Sequence, residues 1–178
     1  MAALAPDRLT GLRDRALLLL GFAGAFRRSE LVALDVADIE ETETGLLVMI
    51  RRSKTDQEGE GITIAIARGT VTYPAKALQE WLDAAGIETG PIFRPINKAG
   101  TVAAERLTCR SVANIVKSYA ALAGFDAATF SGHSLRSGFL TSAAARGASI
   151  FKMMDVSRHK SVDTLRGYAP KHSRPFVR

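Results

Sequence analysis

Cysteine is almost missing from this chain: Cys109 is the only one in 178 residues. Neither an intrachain disulfide framework nor a cysteine-based zinc site can be built from it. Cys109 reads as a small buried hydrophobe rather than a nucleophile, which fits a reducing compartment. Long apolar runs are missing too. The longest, Ala16–Phe26, has eleven residues, where a membrane-spanning helix needs about 20. Arg13 and Arg15 precede it, as they would the apolar part of an export signal. Asp7 and Asp14 dilute that leader, however, and Arg27-Arg28 follow at once, so a buried core helix is the better reading. There is no Gly-x-x-x-x-Gly-Lys-Ser/Thr phosphate loop, no carboxylate cluster suited to two metal ions, no internal repeat and no low-complexity stretch.

Acidic residues are scarce in one half only. Residues 90–178 hold 4 Asp/Glu against 14 Lys/Arg, a balance of +10, whereas residues 1–89 hold 14 against 10, a balance of −4. The whole-chain charge of +6 hides this asymmetry. A basic half joined to a near-neutral half suits a protein that holds a polyanion on one side. The length fits one domain with a real core. Hydrophobic and charged contents of 47% and 24% place the chain among soluble globular proteins.

Local patterning predicts a mainly helical chain with one small sheet. Residues 11–26 read as an apolar helix and Ser29–Leu34 as a short second one. Asp35–Thr44 is acidic and turn-like. Gly45–Arg51 and the alternating Ile62–Ile66 read as two strands of a β-hairpin, with Arg52–Gly61 as its polar loop. Pro74 suits the first turn of a helix reaching Ala85, with Thr72 as cap and Gly86 as stop. Trp81 would lie on its apolar face. Residues 90–107 read as an extended loop. Thr108–Ala123 and Ser134–Arg146 read as helices ended by Gly124 and Gly147, the later one capped by Ser134. Shorter helices are expected at Ile150–Asp155 and Ser161–Tyr168. Phe151, Met153 and Met154 read as core, and His172 as surface.

Chemistry concentrates near the end. His159 and Tyr168 stand nine residues apart, downstream of His133-Ser134-Leu135-Arg136. Tyrosine can act as a covalent nucleophile, but a phenol with a reference pKa of about 10 is a poor one unaided. Arginines and histidines around it would stabilise the phenolate and the charge growing on a phosphate. Each residue has a bland alternative: a helix-entry histidine at His133, a solvated helix end at Arg27, a core aromatic at Tyr168.

The stretch Gly24-Ala25-Phe26-Arg27-Arg28-Ser29-Glu30-Leu31 closes the apolar helix with an arginine and opens a short helix with a glutamate. Here the chain resembles the tyrosine recombinase, or phage integrase, family. Arg27 takes the catalytic arginine position and Glu30 the supporting acidic one, with Arg28 as a variable neighbour. Ser53-Lys54-Thr55 matches the hairpin lysine, making Lys54 the candidate and Lys160 a distant rival. His133 and Arg136 match the His-x-x-Arg motif, His159 the His-or-Trp position, and Tyr168 the nucleophile. All six positions occur in the family's order, across about residue 10 to Tyr168. One departure is visible: Arg158 precedes His159, where many relatives have glycine.

The resemblance implies an α+β fold, mainly helical with a small antiparallel sheet: the catalytic-domain fold of DNA breaking–rejoining enzymes. It implies cleavage and rejoining of double-stranded DNA through a 3′-phosphotyrosine, with no cofactor, metal or ATP. A homotetramer on DNA is expected for recombination, and a monomer for an isolated domain. A cytoplasmic, nucleoid-associated protein of bacterial or phage origin is also expected, with no membrane partner. Relatives usually carry an amino-terminal DNA-gripping domain. Only a few residues precede the first motif, so residues 1–178 read as a catalytic domain without it. A non-catalytic DNA-binding remnant of a mobile element is the alternative.

Overall fold

The computed structural model describes residues 8–51, 61–69, 71–159 and 161–168. Lys54, Lys160 and His172 therefore lie outside the described residues. The chain runs α1 (Leu9–Ala23), α2 (Arg28–Ala33), β1 (Ile39–Thr42), β2 (Gly45–Ile50), β3 (Ile62–Ala67), α3 (Pro74–Ala85), α4 (Cys109–Leu122), α5 (Ser134–Ala145), α6 (Ile150–Ser157) and α7 (Asp163–Arg166). Cys109 opens α4 half-buried.

The strands form one antiparallel sheet in the order β1-β2-β3. Leu46 pairs with Ile66 and Val48 with Ile64, and all four side chains are buried. The alternation of β3 thus faces the core as expected. Strand β1 corrects the turn-like reading of residues 35–44, which hold a 3₁₀ turn at Val36–Asp38 followed by a true strand. β1 pairs only with β2, so Glu40 can stay exposed at a sheet edge. With one apolar residue in four, the segment was too short and too charged for a period of two to show.

Helix α1 buries Ala16, Leu17, Leu19 and Leu20. It packs on α3, where Trp81 is fully buried and its Nε1 donates to the Ile92 carbonyl at 2.9 Å. Pro74 starts α3 and left-handed Gly86 (φ 60°) ends it. Thr72 is not its cap. Tyr73 occupies that position, and Pro74 has no N–H to satisfy. Thr108 does cap α4, accepting from the Ser111 N–H at 3.1 Å. Ser134, expected to cap α5, is its first residue; its Oγ accepts from the Ser131 N–H at 2.9 Å, and His133 holds the cap position.

Two apolar clusters result. The larger joins α1, α2, the sheet, α3 and α4. The smaller centres on Leu140, Ala144, Met153 and Leu165, with Tyr168 and Phe139 packed at its edge. Helix α6 turns Ile150, Met153 and Met154 toward this cluster. Phe151 falls outside that stripe and is 70% exposed, correcting its core assignment. Gly21 brings α1 and α5 close: a Cβ there would sit 2.7 Å from Leu135 Cδ1. Among the described residues no helix is long and apolar enough to cross a membrane.

The smaller cluster is tested by Leu140→Ala, whose target is fully buried. Urea titration should show a loss of about 2–5 kcal/mol; a loss below about 1 kcal/mol would mean that this cluster is not close-packed.

Candidate active site

The site is built at the end of α1. Ala25 adopts a left-handed conformation (φ 46°) there. The Phe26 N–H returns to the Gly21 carbonyl and the Ala25 N–H to that of Phe22, both at 3.1 Å. This paired closure stops the helix sharply. A Cβ on Gly24 would lie 2.3 Å from the Phe26 ring, so glycine is required for the ring to fold back. Arg27 leaves this turn as the cap residue of α2. Buried Glu30 then accepts the Arg27 backbone N–H at 2.8 Å and its guanidinium at 2.6 Å.

Arg136 reaches the same corner from α5. Its Nη1 donates to the Ala25 carbonyl at 2.8 Å, and the side chain is buried. Its Nη2 lies 3.4 Å from both ring nitrogens of His159. An in-plane atom equidistant from both would collide with Cε1, so the guanidinium lies over the ring face. Ser157 holds the ring's other side: its Oγ donates to the Met153 carbonyl at 2.6 Å and meets His159 Nδ1 at 2.7 Å. The hydroxyl has one proton, committed to the carbonyl, so Nδ1–H donates to Ser157. In neutral His159 the Nε2 is therefore a lone pair.

Tyr168 follows α7, its backbone N–H bonded to the Leu165 carbonyl at 2.9 Å. Its hydroxyl is 3.3 Å from Ser137 Oγ, one residue beyond Arg136. His133 is exposed at the start of α5, near enough to act electrostatically on His159. The stem of Arg28 crosses Gly132, where a Cβ would come within 2.7 Å of Arg28 Cδ. Arg27, Glu30, Arg136, His159 and Tyr168 are thus gathered around one corner, with His133 beside them. Lys54 stands between β2 and β3 in the sequence, outside the described residues.

The model of the phage integrase family matches residues 1–174. The chain belongs to the phage integrase family. An integrase/recombinase XerD homologue of Selenomonas ruminantium is 47% identical over 164 residues, covering 91% of this chain and 48% of that protein. A tyrosine recombinase XerC of Pelobacter propionicus is 33% identical over 161 residues, covering 89% and 47%. This integrase-family chain spans about half the length of the curated relatives it matches. The XerH site-specific recombinase, in a pre-cleavage complex with difH substrate, superposes with a TM-score of 0.69 at 18% identity, over 90% of this chain and 43% of the other. A lambda integrase dimer bound to a COC′ core site gives 0.62 at 20% identity, over 93% and 44%. The α+β fold is therefore that of tyrosine recombinase catalytic domains.

Three side chains of this integrase-family site had no role in the motif reading. Ser137 and Ser157 position Tyr168 and His159, and no spacing rule marks a serine for that work. Arg158 is buried in the corner, where its Nη2 meets Glu30 Oε2 at 2.6 Å. Its mark in the sequence was an arginine standing before His159 where many relatives have glycine.

Positive charge is in surplus. Burial, then repulsion from Arg27 and Arg158, lowers the Arg136 pKa to about 10, which still leaves it cationic at neutral pH. Burial lowers that of Arg158 against the pull of Glu30. Burial and the neighbouring Arg136 and Arg27 lower His159 from 6.5 to about 4. Neutral His159 is thus favoured by folding, so its contribution to stability is whole above pH 6.5 and is lost as pH falls through about 4. The Tm advantage of the wild type over His159→Gln should shrink across that window. An NMR titration midpoint for His159 at or above 6.5 would overturn the assignment.

Proposed function

We propose that this chain performs site-specific recombination on double-stranded DNA, cleaving and rejoining strands through a covalent 3′-phosphotyrosine at Tyr168. Arg136 carries the reading. It is a buried cation (4% exposed), and no carboxylate lies within 4.0 Å of it among the described residues. A buried charge without a counter-ion is costly. Among the described residues Glu30 pairs with Arg27 and Arg158 and leaves Arg136 without an ion-pair partner, an imbalance that a phosphodiester would offset.

The chemistry follows from the donors. Arg27 and Arg136 clamp the non-bridging oxygens with planar forks that lysine lacks. Tyr168 Oη attacks phosphorus, forming the P–O(Tyr) bond as the P–O5′ bond breaks. Ser137 orients the attacking hydroxyl. The phenol proton passes to a histidine: His133, or His159 Nε2, whose lone pair is set by Ser157. His159 so protonated donates to the phosphate, and the phosphate's negative charge favours that form. Lys54 delivers a proton to the departing 5′ oxygen. One phosphoester replaces another, so a 5′-hydroxyl can reverse the step without ATP, metal or nucleotide. Exchange between two duplexes would take four protomers, and the free domain is a monomer.

The test uses duplexes selected by the wild-type chain from a randomised pool and nicked at successive positions. Wild type should yield a covalent adduct on a denaturing gel and Tyr168→Phe none. An unchanged adduct in Tyr168→Phe would reassign the nucleophile; binding without any adduct would make the chain a non-catalytic remnant. Arg136→Lys should slow cleavage about 10²–10³-fold while keeping most DNA affinity. Equal loss of both would make Arg136 a binding residue only.

A further inference from the structure

Arg158 stands immediately before His159 and ends α6 in a left-handed conformation (φ 57°, ψ 39°). Glycine adopts that conformation at little cost and other residues do so less readily. An arginine here therefore needs a compensating use for its side chain, and every hydrogen bond given to its terminal nitrogens points inward. Nη1 donates to the Val156 carbonyl at 2.8 Å and the Gly24 carbonyl at 3.1 Å. Nη2 donates to the Ala25 carbonyl at 3.1 Å and to Glu30 Oε2 at 2.6 Å. The guanidinium carbon lies 5.5 Å from the centroid of the Phe26 ring, and the residue is 8% exposed. The terminal nitrogens of Arg158 are thus committed to protein groups, its Nε is buried without a hydrogen-bond partner among the described residues, and the side chain is not placed to touch a substrate.

Two of its partners belong to the phosphate-binding set. The Ala25 carbonyl also receives Arg136, and Glu30 also receives Arg27. Without Arg158, among the described residues Oε2 of Glu30 would keep only the Arg27 backbone N–H, and the Ala25 carbonyl only Arg136. A buried carboxylate left short of a donor draws the nearest cation toward itself, and here those are the arginines meant for the substrate. Arg158 also spans the seam between the α1–α2 corner and the segment bearing His159 and Tyr168, which packs in the separate smaller cluster.

We infer that Arg158 is a positioning residue for strand cleavage, occupying Glu30 and the α1 carbonyls from the inside so that Arg27, Arg136 and His159 face the phosphate. This rests on the reading under "Proposed function". Arg158→Gly is the sharp variant, because it eases the left-handed backbone while removing the guanidinium. On the nicked duplexes its single-turnover cleavage rate at saturating DNA should fall about 10²-fold, as for a displaced reacting group, with DNA affinity unchanged. Arg158→Lys keeps a cation for Glu30 but lacks the fork for the carbonyls, so it should recover only part of the rate. Wild-type cleavage by Arg158→Gly would overturn the inference while leaving the phosphotyrosine reading intact; a wild type that forms no adduct removes both. Melting curves show whether each variant is folded at the assay temperature. If Arg158→Gly is unfolded there, Arg158→Lys decides: a slow rate at wild-type affinity supports positioning, and a wild-type rate sinks it.

Discussion

One buried carboxylate organises this molecule. Glu30 is 4% exposed, yet its two oxygens satisfy a backbone N–H and two guanidiniums. A buried ion pair adds little net stability, because desolvation offsets attraction, but removing one partner costs about 3–5 kcal/mol. The worth of the arrangement is geometric. Glu30 sets where Arg27 leaves α1, and its second oxygen sets where α6 must stop.

Two left-handed residues make that geometry possible. Ala25 and Arg158 are the non-glycine residues with positive φ among those described. One ends α1 and the other ends α6, and the side chain of the second binds the carbonyl of the first. The backbone strain of each is held by the other's contacts, in keeping with the clustering of unusual conformations at functional corners. Burial meanwhile weakens the positive charge of Arg136 and Arg158 without removing it.

Much of this was legible in the amino-acid order, for definable reasons. Arg27, His133, Arg136, His159 and Tyr168 are each commonplace, and only their sequence and spacing single them out. The hairpin was legible because Ile62, Ile64 and Ile66 alternate with smaller residues. Strand β1 was hidden because edge strands tolerate charge, and Phe151 because a helix of about two turns is too short to show which stripe faces inward. Arg158 was read as a local departure from a glycine position. Its meaning depends on Gly24, Ala25 and Glu30, more than 120 residues away, and no local pattern carries a contact of that span. Ser137 and Ser157 were hidden likewise: a hydroxyl's partners are settled by tertiary placement.

The division of the apolar interior into two clusters has a consequence of its own. The arginine corner is rooted in the larger cluster, whereas Tyr168 rides on the smaller one. Such a small cooperative unit opens at lower free energy than the domain as a whole. Arg136 on α5 and Arg158 at the end of α6 are carried by helices of that cluster, so only an opening confined to the short segment bearing the tyrosine leaves the cationic cradle in shape. If a strand is held there by the phosphotyrosine proposed above, that segment gives it a pivot, and the scaffold need not melt for it to swing.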